Sequence, residues 1–448
     1  MTLQGFQNAV ECVLKSREAR RDFEDKISPG TDEIFLKKYP VLRQRVSQLN
    51  YLIKKELQNM SEANYPISSV GPRDRYMMEQ VEQLLEREGI HLDAHLDYTA
   101  AMLDDDYNVI ATGSCFGNTL RCMAVSSDHQ GEALMNDIVS HLIEYQYGRG
   151  NYHLFLYTKC NTSQFFQSLG FREIARMEEA NIVFMENKRT GFTDYLERLR
   201  KESVEQLKET DSDESRKYRS LLEDDTASGT DSSDSLSASA SDNDLRIGAI
   251  VMNANPFTLG HQYLVEKATE GCDILHLFMV SEDASLVPFS VRKKLIEEGT
   301  SGFKNIIYHD SGSYIISSAT FPAYFQKGDN AVIKSQAGID LQVFAGISGR
   351  LHINKRYVGD EPTSLVTGIY NDIMAEALPK NGVECHIIPR KESEGKPISA
   401  STVRQAIHDG DMETVKALVP ETTYNFFVSD EARPVIEKII AESDVVHY

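Results

Sequence analysis

Apolar residues change their spacing several times along this chain, and each change predicts an element. Between Val41 and Leu57 they recur at Val41, Leu42, Val46, Leu49, Leu52, Ile53 and Leu57, close to helical spacing. This predicts a helix in a charged N-terminal helical extension over residues 1–70. A further helix is expected at Arg73–Glu88. Two short runs, LDYTAAMLDD and YNVIATGSCFGN, flank the turn Asp104-Asp105-Asp106 and predict a hairpin. RCMAVSS then reads as a strand, ALMNDIVSHLIEYQYGRG as a helix, HLFLYTK as a strand and NTSQFFQSLGF as a short helix. A hairpin followed by interleaved strands and helices predicts an α+β sheet domain over 71–188.

A charged helix is expected at Asp194–Leu207, and the pattern then lapses. From Glu209 to Asp244 there are eleven acids against three bases, with seven serines between Ser228 and Ser241. So few large apolar residues cannot offset the entropy of ordering, so a disordered, acidic, Ser-rich linker is expected, completing a segment over 189–245. After it, Arg246–Met252 reads as a strand, His261–Glu270 as a helix, Ile274–Val280 as a strand and Ser290–Gly299 as a helix. Ile306–His309 continues as a strand, Thr320–Gln326 as a helix, Val343–Gly346 and Glu384–Pro389 as strands, and Ser399–His408 as a helix. This alternation predicts a doubly wound parallel sheet over 246–430, with ligands at the carboxyl ends of its strands and a helical tail over 431–448.

The first strand of that sheet runs into NANPFTLGH. A helix start placed there presents free N–H groups and a favourable dipole to a phosphate. Gly260 permits close backbone approach, Pro256 stiffens the turn, and Thr258 can cap the helix or donate to phosphate. His261 can stabilise charge that grows on a phosphoryl oxygen. Alone, the four residues are equally well a capping loop with an incidental His. A second phosphate-capable helix start lies far along the chain, in KPISASTVRQAIHDGD. Ser399, Ser401 and Thr402 offer hydroxyls and N–H groups, and Arg404 a permanent planar cation.

Composition narrows the ligand. With 47 Lys and Arg against 68 Asp and Glu, the formal charge is −21, which argues against nucleic acid as the main ligand. No apolar run is long enough for a membrane span, and the N-terminus reaches charge too early for a secretory leader. The six cysteines form no CxxC pair and no Cys/His cluster, so no metal site is expected and a cytoplasmic protein is.

Thr258-Leu259-Gly260-His261 and Ile398-Ser399-Ala400-Ser401-Thr402-Val403-Arg404 together resemble the paired motifs of the nucleotidylyltransferase superfamily. NKRYVGDEPTSLVTGIYNDIM from Asn354, with NANPFTLGHQYLVEKA, narrows this to a resemblance to citrate lyase ligase. The resemblance implies a Rossmann-like domain preceded by a GNAT-like acetyltransferase fold. It implies a ligase that uses ATP with Mg²⁺ to turn acetate into acetyl-adenylate, releasing pyrophosphate. The acetyl group then passes to the thiol of the CoA-like prosthetic group on the citrate lyase acyl carrier subunit. Carried onto this chain, the catalytic residues are His261, Thr258 and Arg404. The nucleotide-binding residues are Asn255, Phe257, Gly260, Ser399, Ser401, Thr402, Arg356, Tyr357, Gly359 and Glu361. Gln130, Gly131 and Ala133 match the end of the acyl-CoA loop, but Asp128 stands where that loop has Gln or Arg. That acid favours recognition of the carrier over independent acetyl transfer. Two alternatives use the same motifs: nucleotidyl transfer to a phosphorylated acceptor such as phosphopantetheine, and a nucleotide-binding scaffold.

Overall fold

The computed structural model describes residues 65–93, 96–130, 133–224, 245–281, 285–315, 329–360, 365–393 and 395–445. The helix expected at Val41–Leu57, the one at Thr320–Gln326 and residues 225–244 of the linker lie outside the described residues. Two compact units emerge, one ending at Asn151 and the other running from Tyr152, with Asn118–Arg121 belonging to the second. Among the described residues no helix is long and apolar enough to cross a membrane.

The first unit holds β1 (Ile67–Ser69), α1 (Arg75–Arg87), β2 (Tyr98–Leu103), β3 (Val109–Phe116), most of β4 (Thr119–Val125) and α2 (Leu134–Gly148). Asp74 fixes the start of α1 by accepting from the Met77 N–H at 3.2 Å, and Val81, Leu84 and Leu85 form its buried face. β2 pairs antiparallel with β1 and β3, as the hairpin pattern predicts. Gly113 is needed here, because a Cβ would fall 2.6 Å from Ile138 of α2.

The second unit opens with β5 (Phe155–Thr158), α3 (Ser163–Ser168), β6 (Arg172–Met177), β7 (Ile182–Glu186), α4 (Gly191–Leu207) and α5 (Asp213–Asp224). β7 lies between β5 and β6, antiparallel to both. α5 corrects the expectation of a linker starting at Glu209. Tyr218 and Leu222 of α5 are wholly buried, and the Tyr218 hydroxyl donates to the Leu351 carbonyl at 2.6 Å and lies 2.8 Å from His276 Nε2. Two apolar residues one turn apart suffice to dock this acidic stretch.

The larger sheet comprises β8 (Ile247–Met252), β9 (Ile274–Met279), β10 (Ile306–Asp310), β11 (Lys355–Gly359) and β12 (Glu384–Ile388). All its pairings are parallel, in the order β10-β9-β8-β11-β12, so the order reverses between β8 and β11. One face carries α6 (Leu259–Gly271), α7 (Phe289–Thr300), α10 (Ala400–Asp409), α11 (Met412–Leu418), α12 (Glu421–Phe427) and α13 (Arg433–Ala441). The other carries α4, α5, α8 (Asp329–Arg350) and α9 (Leu365–Ala377). This is the expected doubly wound α/β fold, preceded by α+β elements. The strand expected at Val343–Gly346 is instead part of α8, which buries Ile339, Val343, Phe344 and Ile347.

Candidate functional site

Residues 253–258 make the first crossover turn, at the carboxyl edge of β8, and contain a cis peptide bond between Asn255 and Pro256. Thr258 caps α6. Its N–H donates to His261 Nδ1 at 3.1 Å, its hydroxyl lies 2.9 Å from the same nitrogen, and that hydroxyl accepts from the His261 N–H at 3.4 Å. Nδ1 is therefore an acceptor, so the proton of a neutral ring sits on Nε2. Burial first, and the Arg390 cation second, lower His261 from its ordinary 6.5 to about 4. At neutral pH the side chain is an uncharged donor, able to hydrogen-bond a phosphoryl oxygen through Nε2–H.

Ser399 caps α10 in the same manner, accepting from the Thr402 N–H at 3.1 Å. Its Oγ also lies 2.8 Å from Ser401 Oγ and 2.8 Å from Thr402 Oγ1. The two helix starts meet: a Cβ on Gly260 would lie only 3.2 Å from the Ile398 carbonyl oxygen. The sequence thus places its hydroxyls, an imidazole and two sets of free N–H groups together beside the crossover.

Arg404 completes the junction differently from expectation. It is 4% exposed, and its Nε and Nη1 donate to the carbonyls of Val445 and Asn255 at 2.6 and 2.7 Å. Two arms of the cation thus hold backbone, making Arg404 a positioning residue for the turn. Asn255 Oδ1 accepts from the Val287 N–H at 3.0 Å, while its buried Nδ2 meets no acceptor among the described residues. Phe257, expected at the nucleotide, is wholly buried. It backs the His261 ring at 5.7 Å and packs against Gly299, so it supports the histidine from the core.

Tyr357 is likewise a core residue. It is 3% exposed, stacks on His386 at 5.0 Å, and sits where a Cβ on Gly271 would be 2.4 Å from its hydroxyl. Arg356, its neighbour on β11, points to the opposite face of the sheet from α6, with Cζ 4.2 Å from the Phe344 ring centre. Gly359 ends β11 with open space around its Cβ position, and its carbonyl accepts from Asn371 Nδ2 at 3.1 Å. Glu361 and Gly131 lie outside the described residues. In the first unit Gln130 is exposed, and Ala133 starts α2 at φ 60°. Asp128 and His129 line a cleft of about 670 Å³ with Glu86, Arg87 and Asp104, an acid-rich wall that disfavours a diphosphate.

Sequence reasoning missed two arginines. Arg390 follows β12 at the carboxyl edge, donates to the Asp360 carbonyl at 2.8 Å and acts electrostatically on His261. Its position directly after a predicted strand was a usable signal. Arg292 of α7 is wholly buried and donates to the carbonyls of Val287, Asn253 and Val280 at 2.9, 3.0 and 2.7 Å. It ties the loops after β8 and β9 together, and nothing in its neighbours Val291 and Lys293 separates it from a surface charge.

Residues 247–427 match the family model described as the citrate lyase ligase C-terminal domain. The citrate (pro-3S)-lyase ligase of Klebsiella pneumoniae is 34% identical over 361 residues, covering 80% of this chain and 94% of its own. The protein of the same name from Escherichia coli is 32% identical over 355 residues, covering 78% and 90%. Among solved structures, Escherichia coli ElaA covers 28% of this chain and all of its own, at 13% identity and a TM-score of 0.25.

Proposed function

The chain belongs to the citrate lyase ligase family, and from that premise we propose that it activates acetate with ATP and acetylates the citrate lyase acyl carrier subunit. The observation that carries this reading is the meeting of the α6 and α10 starts at Gly260 and Ile398. Two helix N-termini side by side, with the Arg390 cation acting on His261, suit a polyanion whose charge shifts during reaction.

In the first step an acetate oxygen attacks the α-phosphorus in line. The bond to the bridging oxygen breaks, and pyrophosphate leaves with the electron pair. His261 Nε2–H and the N–H groups opening α6 and α10 stabilise the oxygens on which charge develops. Thr258 holds the imidazole in its Nε2–H tautomer, and Arg404 fixes the turn through the Asn255 carbonyl. In the second step the carrier thiol, giving up its proton, attacks the acetyl carbonyl and AMP departs, leaving a thioester. The donors gathered here are N–H groups, hydroxyls and an imidazole, which fit phosphate; Mg²⁺ would accompany the triphosphate and neutralise part of its charge.

Isotope exchange between pyrophosphate and ATP tests this reading, measured with Mg²⁺, with and without acetate, and with and without the carrier. Exchange that requires acetate is expected. Bound ATP with no acetate-dependent exchange under any of these conditions would direct attention to a phosphorylated acceptor.

A further inference from the structure

Arg356 is 5% exposed, and its Nε and Nη1 are buried without an acceptor among the described residues. The Phe344 ring covers the guanidinium at 4.2 Å. Burial lowers its proton affinity, and nearby Asp340 opposes that effect without hydrogen-bonding to it. The Asp340 carboxylate is instead held by the Tyr370 hydroxyl. Burying a cation without a bonded partner is costly, and replacing such a group by an apolar one is often stabilising. An arginine kept in this state is poised for a ligand.

Its position says which. Tyr370 adjoins Asn371, whose amide bonds the carbonyl of Gly359, the last residue of β11. Arg356 itself pairs with Ala249, three residues before the carboxyl end of β11, so its side chain lies on the α8 and α9 face below that edge, on the strand that pairs with β8 where the order reverses. Half-buried Val251 and Val358 lie on the same face, two residues nearer the carboxyl edge. One guanidinium, its charge already partly offset by Asp340, cannot balance the roughly four negative charges of a nucleoside triphosphate, whereas its two unpaired N–H groups can still donate to one carboxylate. An aromatic lid and two valines suit a short apolar tail.

We propose that Arg356, Phe344 and Tyr370 form the receptor for the acid substrate, binding the carboxylate of a short-chain monocarboxylic acid. The nucleotide approaches the crevice from the α6 and α10 side and the acid from the α8 and α9 side, so their reacting atoms meet over the β8–β11 boundary. This assignment rests on the ligase reading given above.

Arg356→Met and Phe344→Leu test it, with acetate and propionate as probes in the full-length protein. Removing a charge-assisted bond of about 1.5–3 kcal/mol should raise the KM for acetate roughly 10- to 100-fold in Arg356→Met. ATP binding should change less than about twofold, and the unliganded Tm should hold or rise. Acetate should raise the Tm of the wild type and not that of Arg356→Met. In Phe344→Leu, the kcat/KM ratio of propionate to acetate should increase. An unchanged acetate KM in folded Arg356→Met overturns the assignment. If that variant does not fold, an unchanged propionate preference in Phe344→Leu overturns it instead. Absence of acetate-dependent exchange in the wild type would strike the ligase reading itself, so the two failures are distinguishable.

Discussion

His261 works as an uncharged group because its neighbours fix both its tautomer and its proton affinity. The Thr258 N–H occupies Nδ1, and burial, with the Arg390 cation second, holds the ring near 4. His261→Ala should therefore lower kcat by about a hundredfold or more while leaving ATP affinity nearly intact. Wild-type turnover in that variant would remove the role. The same shift has a stability consequence. The unfolded chain takes up a proton near the ordinary 6.5, whereas the folded chain does so only near 4. The contribution of this residue is thus complete above about pH 6.5 and declines toward pH 4, by at most ~3.5 kcal/mol. His276 and His309, lowered chiefly by burial, add in the same direction. Urea midpoints that match at pH 7.5 and pH 5 would refute the assignment of these shifts. At this scale the sequence showed which residues stand at the turn, but not which way they point. Phe257 and Tyr357 sit inside motifs and look like ligands, yet both fill the core, because side-chain direction is set by strand and helix partners distant in sequence.

Elements were legible where apolar spacing was regular and illegible where tertiary contacts supply the order. β8, α6, β9 and α7 follow their patterns within a few residues. α8 was hidden because its buried residues, from Ala337 through Ile347, occupy most sides of the helix, so no polar stripe marks its period. α5 was hidden by its charge. Its anchor is Tyr218, whose hydroxyl serves both His276 and the Leu351 carbonyl. Tyr218→Phe would leave both groups unpaired in the core and should cost about 1–3 kcal/mol, read as a lower urea midpoint. An unaltered midpoint would mean that α5 contributes no more than its apolar contacts.

At the scale of the whole molecule, alternation of strands and helices announces the class of fold, and two distant motifs point to the candidate site that the α6 and α10 starts bring together. The sheet order was not readable, because β11 is short and β10 and β11 are separated by α8. The reversal between β8 and β11, which gives the crevice its two sides, arises only when β11 pairs with β8. Val445, near the far end of the chain, is also tied to the proposed site. Arg404 grips the Val445 carbonyl with one arm and the Asn255 carbonyl with another. Removing residues from 443 onward should lower kcat at least several-fold; it also takes the buried Val445 out of the core and should lower the Tm, while circular dichroism still reads a folded chain because α13 remains. Unchanged kcat after that truncation would show that Arg404 holds the turn unaided. For anyone preparing this protein the lesson is practical. A purification handle fused after Tyr448 begins three residues from the carbonyl that Arg404 holds, and should be compared with one placed at the opposite terminus before any rate is believed.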